Sequence, residues 1–102
     1  MKIIEKLSKM INEELADSEK YIRCALTYKE EMPDLAKVFF NLSQEEMRHS
    51  TELHNEIVKI IEDYRREHGE PPTNMMAIYD YLHDMSIEQT KGIKILWDIF
   101  RE

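Results

Sequence analysis

Apolar residues recur along the first third of the chain in alternating steps of three and four. They run Ile4, Leu7, Ile11, and the same steps continue through Glu14, Ser18, Tyr21, Ala25 and Tyr28. This is the spacing of a helix that lays one narrow face against another helix. A second run follows it through Leu35, Phe39, Leu42, Glu46, His49, Leu53, Ile57, Ile60 and Tyr64. A third passes through Met76, Tyr79, His83, Ser86, Thr90, Ile93, Trp97 and Phe100. The pattern predicts one domain, residues 1–102, with helices over about 2–31, 33–67 and 74–100. Pro33 suits a first helical position and biases Met32 away from helical angles. Gly69 suits the residue just past a helix, and the Pro71-Pro72 pair forbids continuation. Thr73 or Asn74 is expected to cap the third helix.

These helices are long. At about 1.5 Å per residue the first two span roughly 45 and 50 Å, whereas globular helices average about 11–12 residues. Two such rods cannot cover their own apolar faces, and a third helix covers them only in part. The expected fold is therefore all-α: a long antiparallel helical hairpin plus a third helix, in a bundle completed by oligomerisation, at least to a homodimer.

Composition sharpens this. Two Gly and three Pro leave few places to break a helix. A net charge of -7 disfavours nucleic acid and anionic membrane surfaces, and leaves cationic partners open. No uncharged stretch approaches the roughly 18 residues of a membrane span, and the N-terminal segment alternates charge too often for a signal peptide. Cys24 is the only cysteine, so no intrachain disulfide is available. It reads as a small buried apolar residue in a protein of the reducing cytoplasm.

Both long helices turn polar in mid-seam, at Glu14 and at Glu46 and His49. If the hairpin folds about Met32, Glu14 precedes the turn by about as many positions as His49 follows it, and Glu46 lies within one helical turn of both in height. Two carboxylates and an imidazole then converge inside an apolar bundle. A buried carboxylate without a partner is costly. No Arg or Lys occupies the seam near this height, so a divalent cation is the favoured counter-charge. Glu46 and His49, three apart, share one helix face. Carboxylate with imidazole suits iron, manganese or zinc. Chance supplies roughly one acid-x-x-His match in such a composition, so position and height carry the inference rather than the motif.

A second pair, Asp80-x-x-His83, meets the height rule poorly. A turn near Pro71 sets His83 beside Lys59, roughly 15 Å from the level of His49. Asp80 and His83 are second-tier ligand candidates that would require the third helix to cross over or swap. His54 and His68 are expected at the surface. A zinc-protease helix is excluded, because His49 and His54 are five apart and Ser50 stands where the Glu is needed.

Glu14, the Glu46-x-x-His49 pair and Tyr21, two turns after Glu14, resemble one half of a ferritin-like di-metal carboxylate protein, closest to rubrerythrins and bacterioferritins. The likeness covers roughly residues 10–60. Those proteins carry two such halves, and this chain has one. In this it resembles small encapsulated ferritins, which complete the site by pairing two subunits. The resemblance implies Glu14 and Glu46 as carboxylate ligands, Glu46 as the bridge, His49 as terminal imidazole and Tyr21 as a neighbour that tunes them. It implies a homodimer with a di-iron (or Mn) site and ferroxidase-like or peroxide-reducing chemistry with O2 or peroxide. Two other expectations stand beside it. One is a helical interaction or adaptor protein whose polar seam sets oligomer specificity. The other is a zinc-stabilised bundle without redox chemistry.

Overall fold

Three helices account for nearly all of the residues, 2–102, that the computed structural model describes. They are α1 (Lys2–Tyr28), α2 (Pro33–His68) and α3 (Thr73–Arg101). They form a rod of 56 × 19 × 18 Å. Among the described residues no helix is long and apolar enough to cross a membrane.

The helix ends depart from the sequence expectation by a few residues. α1 stops at Tyr28, with residues 29–31 in a turn. Met32 sits at φ -136, ψ 71, outside the helical region that a following proline disfavours, and its N–H donates to Tyr28 O at 2.9 Å. α2 continues one residue further, to His68. Gly69 then adopts φ 80 and donates its N–H to Arg65 O at 3.1 Å, a left-handed conformation that favours glycine. Neither Thr73 nor Asn74 caps α3. Pro72, at φ -54, ψ 138, already has the extended backbone of an N-cap, so helix α3 begins one residue earlier.

The buried rows correct the expected seam. α1 buries Ile4, Ser8, Ile11, Leu15, Ser18, Ile22 and Ala25. Half of the expected row is there, but Ser8, Leu15 and Ile22 replace Leu7, Glu14 and Tyr21. α2 buries Ala36, Ser43, Met47, Ser50, Ile57 and Ile61, so Leu35, Leu42, Glu46, His49 and Ile60 are each displaced by one position. The serines explain the shift. Ser18 Oγ donates to Ser43 O and Ser43 Oγ donates to Ser18 O, both at 2.7 Å. Small hydroxyls satisfied by the facing backbone let α1 and α2 approach closely. Both one-residue shifts turn Glu14, Glu46 and His49 out of the centre to its edge.

α3 runs alongside α1 and reaches α2 through side chains. Phe100 stacks on Phe40 at 4.8 Å between ring centroids, and Trp97 meets Phe40 edge-on. Lys29 Nζ donates to Glu102 O at 3.1 Å, tying the ends of α1 and α3 together. Cys24 is half-buried rather than fully enclosed.

Candidate metal centre

Glu14, Glu46 and His49 do converge. One ligand atom from each lies within 4.8 Å of the others. His49 Nδ1 is 3.7 Å from Glu14 Oε2 and 3.9 Å from Glu46 Oε1. All three are partly buried. They lie on the flank of the α1–α2 seam away from α3, since Phe40 and His54, which meet rings of α3, point well round the helix from His49. Helix geometry produces this: i and i+3 place Glu46 and His49 on one face, and the antiparallel hairpin brings Glu14 to the same level.

The electrostatics are those of two carboxylates with no cationic side chain between them. Glu14 Oε2 is a buried atom without a hydrogen-bond partner. Among the described residues no Lys or Arg pairs with Glu14 or Glu46. The Glu46 pKa is raised from 4.5 to about 7. The first cause is the hydrogen bond that a protonated Glu46 can give to Glu14; burial and the Glu14 charge follow, His49 opposes them, and Asp17 adds to them. Asp17 was not picked out from sequence, although it follows Glu14 by one helical turn.

The other candidates lie elsewhere. Tyr21 stacks its ring on Phe39, and no hydrogen bond links it to Glu14 among the described residues. Asp80 and His83 are not part of the ligand cluster. His83 stacks between His54, at 5.0 Å, and Tyr79, at 5.5 Å. The height rule thus places His83 correctly, several residues beyond the level of His49. His54 is half-buried rather than fully at the surface: partial burial and the neighbouring His83 lower its pKa. His68 is exposed beside Tyr64.

Compared with known proteins, the chain matches no family model and has no significant match among curated proteins or solved structures.

Proposed function

We propose that the chain is a ferritin-like metal-binding protein whose Glu14, Glu46 and His49 hold a transition metal ion, iron in the first place, with manganese or zinc as the other metals these ligands accept. The observation that carries this reading is the convergence of two carboxylates and one imidazole around an unpartnered buried oxygen, with no cationic side chain supplied. The residues fit a hard-to-borderline divalent ion: Glu14 Oε2 and His49 Nδ1 already point into the cluster.

Three ligands from one chain suit one ion, and two chains facing each other supply the set for two. The flank around the cluster suits such pairing, because Tyr28 and Leu35 are more than a third exposed there and Phe39 and Leu42 half-buried. In a homodimer the two copies of Glu14, Glu46 and His49 would together hold the pair of ions. Binding releases the proton that Glu46 holds below about pH 7. A bound iron pair would supply the electrons for reduction of O2 or peroxide. The chain's own contribution is to hold the ligands at fixed height and to keep one side of them dry.

Calorimetric titration of chelator-stripped protein with Mn(II) and Zn(II) tests this. Binding should be lost in both Glu46→Ala and His49→Ala. A dimer that forms through this flank, ignores chelators and binds neither ion would instead make the flank a plain interaction surface.

A further inference from the structure

We propose that the outer face of α3 is a second self-association surface, which pairs antiparallel with α3 of another copy of this chain. The face is the side of α3 turned away from α1 and α2. Ile78, Tyr81, Met85, Ile95 and Ile99 lie on it, each between 43 and 65% exposed. With Glu88 and Gly92 they keep alternating steps of three and four, the spacing of a helix–helix seam. The inner row, from Tyr79 to Phe100, has the same period and is used within the chain. α3 therefore carries two seams, and one has no partner in the monomer. Two exposed apolar groups, Ile78 to Met85 and Ile95 with Ile99, thus flank Glu88 and Gly92 on one face, and exposed apolar surface of this kind marks interaction sites.

Three features select a second α3, and its direction. Gly92 stands in mid-helix, where glycine is unfavourable, yet a side chain there would meet nothing within 4 Å. No contact inside the chain calls for it. An antiparallel copy that lays Tyr81 over the partner's Gly92 gives it a use, because the largest member of the row faces the smallest. That register also sets Ile78 against the partner's Ile95. Charge agrees with it: Asp84 falls beside the partner's Lys91, and the dyad repeats the pair. A parallel pair would bring the two Glu88 carboxylates together in the seam with no counter-charge across it. In the antiparallel register Glu88 lies beside Met85 of the partner and keeps the Lys91 of its own helix at 3.6 Å. A contact of one surface with its own copy about a dyad is the commonest symmetry of soluble assemblies. The surface lies on a different helix from the metal cluster and does not depend on that reading.

Disulfide trapping tests the register in chelator-treated full chain, with Cys24→Ala as background. Ile78→Cys and Ile95→Cys are prepared separately, then mixed in a glutathione buffer. The mixture should give a disulfide-linked dimer, and neither variant alone should. Asp84→Lys in both components should lower the yield severalfold, as should Lys91→Asp, and the two exchanges together should restore it. Cross-linking of either variant with itself, no dimer from the mixture, or failure of the double exchange to restore it would each overturn the proposal. All four positions are on the exposed face, so the substitutions leave the monomer core intact.

Discussion

Trp97 Nε1 donates a hydrogen bond to Ser43 Oγ at 2.8 Å, and the same Ser43 hydroxyl donates to Ser18 O at 2.7 Å. One small side chain on α2 thus joins all three helices at one level. It does so inside an apolar setting, where an unpaired donor or acceptor is expensive.

Ser43→Ala should therefore destabilise the fold well beyond the loss of one hydroxyl. It leaves the Trp97 N–H without its acceptor and removes the Ser18 carbonyl's second bond, at about 1–3 kcal/mol in total. For a domain of this size each kcal/mol lowers Tm by roughly 4–8 °C. Thermal unfolding followed by far-ultraviolet circular dichroism reads this directly. An unchanged Tm would show that water replaces both bonds.

The apo protein should lose stability as pH rises through neutrality. Glu46 has a folded pKa of about 7 against an ordinary value of 4.5. A group with a raised pKa contributes stability that is complete below its unfolded pKa and lost as pH climbs through the folded one. Glu46→Gln mimics the protonated state, so at pH 8 the metal-free variant should outlast the wild type on heating. Near pH 4 the two should melt alike. Equal Tm values at pH 8 would contradict the raised pKa.

His54 acts in the opposite direction. Its pKa lies below the usual 6.5, first through burial and then through the imidazole of His83. Stability is therefore intact above the unfolded pKa and falls as acid charges a ring that the folded state keeps neutral. His54→Phe keeps the stack and removes the titration. Its Tm should fall less than that of the wild type between pH 7 and pH 5, measured with Glu46→Gln in both chains to remove the competing trend.

Gly92→Ala should raise the Tm of the monomer at high dilution. The site is helical with open space around it, so alanine adds roughly 0.5–1 kcal/mol by propensity alone. Destabilisation at high dilution would contradict the open space around Gly92 in the monomer.

The helices could be read from sequence because long runs with few breakers leave little choice. The level of the Glu14–Glu46–His49 cluster could be read too, because residue counts from the Met32 turn fix height in a hairpin. What could not be read was which of two adjacent rows is central. Leu7 and Ser8, Glu14 and Leu15, or Tyr21 and Ile22 satisfy the same spacing, and hydropathy favours different rows at different turns. Ser18 and Ser43 decide it by bonding to each other's backbones, a pairing that exists only once both helices are in place. The same tertiary effect hid His54, whose burial depends on the ring of His83 arriving from α3.

The central claim, that the cluster is a metal site shared by two chains, is tested most directly by anaerobic titration of chelator-stripped protein with Fe(II), followed by air and near-ultraviolet absorbance. The account predicts saturation at about one iron per chain, then rapid growth of oxo-bridged ferric absorbance that is absent in Glu46→Ala. Iron uptake no greater in the wild type than in Glu46→Ala would contradict it and leave Glu14, Glu46 and His49 as a polar flank of a helical scaffold.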